Sequence, residues 1–449
     1  MPERLPRVQG RAPRVALLVY NQVSNDNRVL KTAASLRDAG ADVLIVGSAR
    51  PGYPAGDDLV GDGLSIHRAR DFDLVELLPW LARGVRRLRG QDPDGARPSP
   101  EIEDAPPSTP PTSARASVGS VAGDLWMRLY QVVRLMWFWG GVMRKLRRMR
   151  PDVVHANDGN TLLPAMLLKR AVGCRIVYDA HELWTRRNVR PDRLLAPLVE
   201  SVIEWLGVRA SAGVVTVSPS IVTWMRRRFR LRTAPTLVRN IPHRRGAVPD
   251  PQQGRLRELA RLPSHARLVG YAGGVTTGRG LEEMLHALTE LDADTHLVML
   301  GYGDPSYVTR LLGQARDLGL GARVHLVGPV PGPEVPMTLA DADVAVVYVR
   351  PICLSYRYSL PNKLFESIHA GLPIVAADLP DTAAIVQGYG VGEVFGADRP
   401  DQLAAAIERV IADEARYRAA SVAAADELDW RQEADALVAL YADVLGASR

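Results

Sequence analysis

Cysteine is nearly missing from this 449-residue chain: Cys174 and Cys353 are the only two, each in an apolar stretch and neither in a C-x-x-C pair. A disulfide framework is thereby excluded, a thiolate zinc site is disfavoured, and a reducing compartment is the simpler setting. Long apolar runs are missing too. None approaches the ~20 residues that span a bilayer. Met1 to Arg14 is polar, carries Pro2, Pro6 and Pro13, and has no apolar core of the signal-peptide kind. Aromatic residues make up only 6%, but their placement is uneven.

What is there reads as an ordinary globular composition, 47% hydrophobic and 24% charged, in a chain too long for one compact core. The net charge of +6 favours anionic partners without choosing between nucleoside diphosphates, acidic lipid and nucleic acid. Apolar runs of strand length alternate with amphipathic stretches. Val15–Tyr20, Asp42–Gly47, Asp152–His155, Cys174–Asp179 and Gly213–Val217 form one series. Leu268–Ala272, Thr295–Leu300, Arg323–Val327, Val344–Tyr348 and Pro373–Ala377 form a second. Runs buried on both faces are typical of parallel strands, so the expected class is α/β, two Rossmann-like doubly wound domains facing across a cleft.

The expected division is 1–13 as a disordered N-terminus, 14–240 as the first domain and 241–428 as the second. A C-terminal helix, 429–449, is read as able to cross back to the first domain. Within the first domain, 91–124 holds seven prolines and six acids with almost no large apolar side chain, which predicts a disordered insertion. Residues 125–150 follow as a basic aromatic helix, with seven Arg or Lys and no acid between Trp126 and Arg150.

Two segments of the second domain carry chemistry. Tyr271-Ala-Gly-Gly-Val-Thr-Thr-Gly-Arg-Gly280 joins a strand to the helix starting near Leu281, where glycines let backbone approach a phosphate and Arg279 adds charge. The same glycines also suit a purely structural tight turn. The second segment is Leu360-Pro-Asn-Lys-Leu-Phe-Glu366, opening a helix at the carboxyl end of a strand. There Lys363 can neutralise a diphosphate, first-turn amides including that of Asn362 can bind its oxygens, and Glu366 can accept two ribose hydroxyls. A surface Lys-Glu pair is the plainer alternative.

Pro361 to Glu366, the following A-G-L-P-I-V, the glycine turn, V-V-H-A-N-D, V-Y-D-A-H-E-L-W and V-T-V-S-P-S together resemble the retaining family-4 glycosyltransferases of the GT-B fold, over 14–90 and 125 to the C-terminus. The resemblance implies sugar transfer from a nucleotide-diphosphate donor, a UDP- or GDP-sugar, to an acceptor hydroxyl with retention, and no metal or other cofactor. It implies Glu366 on the ribose, Arg279 and Gly274 at the diphosphate, and His181, in D-A-H-E, as the catalytic residue approaching the donor sugar. The match departs at Tyr358, where many members carry a glutamate eight positions before the ribose one, and at Gly273-Gly274, where many carry Arg.

Asn25, Arg28, His155, Asp158 and Tyr358 are the candidates for contact with the acceptor or elsewhere in the cleft. For Asn25 or Asp26 a helix cap is the plain role; for His155, a packed strand-end histidine. No metal-binding D-x-D lies on a strand end, and no carboxylate pair is placed as acid and nucleophile, which argues against a glycosidase. A sugar-nucleotide epimerase of the same fold, needing acid/base carboxylates, and a non-catalytic binding member remain as rivals. The expected partners are a nucleotide sugar and a glycan or lipid-linked acceptor, not nucleic acid. The helix 125–150 suits either an anionic membrane surface or the core. The expected location is cytoplasmic, with peripheral attachment to the inner face of the plasma membrane left open.

Overall fold

A computed structural model of the chain describes residues 4–24, 26–72, 118–188, 196–244 and 246–446, the side chains of 118–128 excepted. The first domain is an eight-stranded sheet in the order β3-β4-β2-β1-β5-β6-β7-β8. Its strands are β1 (Arg14–Leu18), β2 (Asp42–Ser48), β3 (Gly56–Val60), β4 (Leu64–Ala69), β5 (Val153–Asn157), β6 (Arg175–Ala180), β7 (Gly213–Thr216) and β8 (Thr236–Leu237). All neighbours pair in parallel except β3 with β4. The second domain is a six-stranded parallel sheet, β11-β10-β9-β12-β13-β14. Those strands are β9 (Arg267–Ala272), β10 (Thr295–Leu300), β11 (Val324–Leu326), β12 (Val344–Val347), β13 (Ile374–Ala377) and β14 (Gly392–Phe395).

The doubly wound class is therefore the one observed. Central strands such as β5 and β13 are buried along their whole length, because helices cover both faces. The hairpin β3–β4 has no counterpart in the apolar pattern, since β3 is mostly Asp-rich and exposed at the sheet edge. The helices used below are α1 (Asn27–Asp38), α2 (Val118–Met149), α3 (Leu162–Val172), α4 (Ala196–Ala210), α5 (Pro219–Arg228), α6 (Leu281–Glu290), α7 (Asn362–His369) and α8 (Trp430–Gly446).

The insertion expected at 91–124 lies outside the described residues as far as 117. From Val118 onward the chain is already helical, so 118–124 belongs to α2 and the boundary moves. A long helix extends into weakly predisposed sequence because each added residue gains a hydrogen bond without a new nucleus.

Helix α8 leaves the second domain and packs on the first. Trp430, Leu437, Val438, Tyr441 and Val444 share a core with Val15, Leu17, Val29 and Val177. The two interdomain crossings are clasped together: the Arg239 guanidinium and backbone N–H both bind Glu433, at 2.5 and 2.6 Å. Trp430 is fully buried there, and its indole donates to Ser35 Oγ at 2.9 Å. Both sheets reverse their winding at one place, between β1 and β5 in the first and between β9 and β12 in the second. The loops at those carboxyl edges diverge and leave room for ligands.

Replacing Trp430 by Ala empties a buried site that joins the domains. The expected cost is about 3–5 kcal/mol of unfolding free energy, read by urea denaturation; a change below about 1 kcal/mol would show that α8 contributes little to holding the first-domain core.

Candidate active site

The second-domain wall is built from the loops after β9 and β12. Three glycines of the first loop have positive φ: Gly273 at 128°, Gly278 at 77° and Gly280 at 70°. Gly280 caps α6, and a Cβ there would enter the Tyr348 ring, so both its conformation and its space demand glycine. Gly274 is exposed with open space before it, and its carbonyl accepts the Tyr271 hydroxyl at 2.8 Å.

Against this turn lies Lys363, from the first turn of α7. Its side chain is buried, its ammonium stands 3.6 Å from the centroid of the Tyr271 ring, and its Nζ has no hydrogen-bond partner. Burial, then the neighbouring Arg279, push its pKa well below the usual lysine value, while Glu366 pulls the other way. Arg279 is half-exposed, stacks over Tyr356 at 5.1 Å, and forms no ion pair among the described residues. Helix α7 starts after Pro361 with no side chain capping its free amides, and Asn362 is exposed at that end. Glu366 sits one turn further, partly buried; burial lifts its pKa to about 7 against Lys363 and Lys31. Lys363 thus lies against Gly273 and near Arg279 and Glu366, with Gly274 and Asn362 exposed on the same two loops.

The first-domain wall is organised by Asp179 at the end of β6. Arg28, from α1, grips it with two donors at 2.7 and 2.9 Å and spends a third on the Val238 carbonyl at 2.7 Å. Arg28 is only 3% exposed. Its guanidinium faces Asp179 and the core rather than open cleft, so its place is beneath the site. His155 is fully buried; burial pushes its pKa down, and its Nε2 lies 3.3 Å from Asp179 Oδ2 while Nδ1 lies 2.9 Å from the Tyr441 hydroxyl. That is the packed strand-end role, shared with a residue from the far end of the chain.

His181 stands over this pair, one strand-end further out. Its Nε2 is 3.1 Å from Asn157 Oδ1 and 3.5 Å from Asp179 Oδ2, and its Nδ1 is 3.4 Å from Asp158 Oδ2. Burial opposes its charge, but the Asp158 and Asp179 carboxylates outweigh that and raise its pKa to about 9. The ring is therefore an imidazolium at neutral pH. Asp158 itself has φ 59° and ψ 169°, a region that costs a non-glycine residue on the order of 1–3 kcal/mol. The surrounding bonds hold it there: the His181 backbone N–H donates to Asp158 Oδ1 at 3.2 Å.

Asn25 lies outside the described residues. Next to it, Asp26 is the cap of α1, accepting from the Val29 N–H at 3.1 Å. Tyr358 leans on the first domain: its carbonyl accepts the Ser218 hydroxyl at 2.7 Å, and its ring lines a groove of about 540 Å³ with Trp224, Arg227 and Arg228. Ser355 also reaches across, donating to Glu182 at 3.3 Å.

Two contributors carried no strong sequence signal. Lys31 lies one turn past Arg28 on α1; its Nζ donates to the Ile241 carbonyl at 2.5 Å, 4.3 Å above the Trp430 ring. Burial and then Arg28 lower its pKa to about 7, against Glu366 and Glu433. A helical i, i+3 reading of α1 would have found Lys31. Nothing local could have found Tyr441.

Known proteins share the family and the fold. The family model described as Glycosyltransferase Family 4 matches residues 100–242, and that described as Glycosyl transferases group 1 matches 266–413. The D-inositol 3-phosphate glycosyltransferase of Xylanimonas cellulosilytica is 29% identical over 42% of this chain and 45% of its own length. The chain thus spans less than half of that relative. A phosphatidyl-myo-inositol mannosyltransferase of Mycobacterium tuberculosis is 26% identical over 66% of this chain and 75% of its own. Among solved structures, a sucrose-phosphate synthase from Thermosynechococcus elongatus superposes with TM-score 0.71 at 16% identity, covering 97% of this chain and all of that one. Anabaena HepE in complex with UDP superposes with TM-score 0.63 at 15% identity, over 94% and 97%.

The raised pKa of His181 fixes a pH window. Its charged form is stabilised in the folded state, so this contribution is complete below the ordinary histidine value near 6.5 and is lost as pH rises through about 9. An NMR titration should show the ring protonated at pH 7.5. In Asp158→Asn the midpoint should move down; an unmoved midpoint would mean that Asp158 does not hold the charge.

Proposed function

The chain belongs to the glycosyltransferases of group 1 and family 4, and on that premise we propose that it moves a sugar from a nucleoside-diphosphate donor to an acceptor hydroxyl with retention at the anomeric carbon. The observation that carries the reading is the Lys363 ammonium, buried beside a glycine turn with the Tyr271 ring against it and no hydrogen-bond partner. A buried cation without a partner is costly, and an anion in the recess would relieve it. A diphosphate there meets Lys363, Arg279 and the uncapped amides of α7 at once. Glu366, one turn along, then accepts the ribose hydroxyls.

In the transfer, the bond between the anomeric carbon and the phosphate oxygen breaks, and the acceptor oxygen bonds that carbon on the same face. The acceptor proton passes to the departing diphosphate. The two cations and the helix amides stabilise the charge that develops on the leaving group. The His181 imidazolium, held by Asp158 and Asn157, donates to the donor sugar from the opposite wall. Holding donor and acceptor together between the walls supplies the rest.

UDP-sugars are the first donors to test, with GDP-sugars second, because the Anabaena relative of this fold was solved with UDP and with UDP-glucose. The inositol relatives favour a glycan or lipid-linked acceptor in glycolipid or polysaccharide biosynthesis. Such a reaction belongs on the cytoplasmic side of a membrane, with the protein attached peripherally.

The test is a thermal-shift panel of nucleotides and nucleotide sugars, since a ligand of the folded state stabilises it by mass action. Glu366→Ala should weaken the best nucleotide roughly 10- to 100-fold, the worth of one hydrogen-bonded charge. An undiminished shift would overturn the ribose assignment. Lys363→Met should lose affinity for the diphosphate while keeping the fold, read as a flat calorimetric titration beside an unchanged far-UV spectrum.

A further inference from the structure

Among the outer helices of the first domain, α4 has its polarity reversed. A surface helix ordinarily buries its apolar stripe and shows its polar one. In α4 the buried residues include Glu204, whose carboxylate accepts from the Tyr178 hydroxyl at 3.1 Å and the Thr185 hydroxyl at 3.0 Å. The outward side carries Leu198, Val199, Val202, Trp205 and Leu206, with Leu198 65% exposed.

Helix α2 is apolar on both sides. Phe138, Val142 and Leu146 enter the core, Trp139 donates inward to the Asn160 carbonyl, and Leu129, Val132, Met136 and Trp137 remain exposed. The exposed set spaced 129, 132, 136 follows one helical stripe. Helix α3 packs between α2 and α4 and adds Leu167 to the same side. Gly207 lets α4 close on α3, since a Cβ there would stand 2.8 Å from Leu162. The result is a face on which the exposed apolar side chains of three adjoining helices lie together.

Charge on this face has one sign. The three helices run alike, their C-termini at the amino edge of the sheet, and there they expose Arg144, Arg147 and Arg148, then Arg170, then Arg209. Arg209 stacks over Trp205 at 4.2 Å. No acidic residue is exposed among the described side chains of these helices; Glu200 is paired with Arg187 at 3.6 Å.

We propose that the face formed by α2, α3 and α4 docks on an anionic lipid surface. The apolar stripes sit at the boundary of headgroups and acyl chains, Trp137 and Trp205 lie at headgroup depth, and the arginines meet lipid phosphates. A second copy of the chain fits less well. A two-fold interface sets the patch against itself and would bring these arginines together without a countercharge. None of the described helices is long and apolar enough to cross a membrane, so the contact is interfacial. This surface lies on the outer helix layer, apart from the nucleotide recess, and its test does not depend on the donor.

The full chain is floated with vesicles of phosphatidylcholine alone and of phosphatidylcholine with phosphatidylglycerol. Binding is expected on the second only, weakened by added salt. It should fall at least about tenfold in partition for Arg147→Glu/Arg148→Glu, and comparably for Val202→Ser/Trp205→Ser. Because every altered side chain is exposed, both variants should keep the thermal midpoint and the nucleotide-induced shift of the parent. Absence of binding to phosphatidylglycerol vesicles, or equal binding by the variants, overturns the proposal. So does a dimer in sedimentation that Val202→Ser/Trp205→Ser abolishes while vesicles capture nothing.

Discussion

The Arg28–Asp179 ion pair is the contact on which the first-domain wall rests. Both side chains are almost wholly buried, and together they fasten three separate parts of the chain: α1, the end of β6 and the segment after β8. A buried pair gains little net stability over well-packed apolar residues, but losing one partner strands a charge and is severe. Here the pair also sets the protonation of its neighbours. Ionised Asp179 favours the charged form of both histidines; burial overrides it at His155 and pushes that pKa down, whereas at His181 Asp158 and Asp179 together outweigh burial and push it up.

The second-domain wall follows a different logic. Its buried cation is left without a hydrogen-bond partner, and its carboxylate is lifted toward neutrality by burial. Such a recess is poised for a ligand bearing both negative charge and hydroxyl groups, whereas the first-domain wall is already satisfied internally. Under the proposed function the two walls divide the work: one binds the donor, the other orients a single proton-bearing ring. Lys31 links them, since it belongs to α1 yet influences Glu366 across the hinge.

The outer helices show how far residue type and residue placement can part. Trp137, Phe138 and Trp139 are consecutive, yet Phe138 is core, Trp139 bonds inward and Trp137 is exposed. Helical rotation of about 100° per residue separates them. Whether 125–150 served core or surface was thus a question with two answers, one for each side of the helix.

The sequence by itself determined the doubly wound class, because unbroken apolar strands alternating with amphipathic helices have few other solutions. It also placed the two motifs that carry Gly274, Arg279, Asn362, Lys363 and Glu366 after strands β9 and β12, which are neighbours where the parallel sheet reverses its winding. Tertiary structure alone decided that Lys363 is buried without a hydrogen-bond partner, that Arg28 turns inward, and that Tyr441 closes the bond on His155. It alone decided that 118–124 is helical and that Tyr358 leans on the other domain. Each of these depends on contacts between residues far apart in the chain, which local propensity and periodicity do not encode.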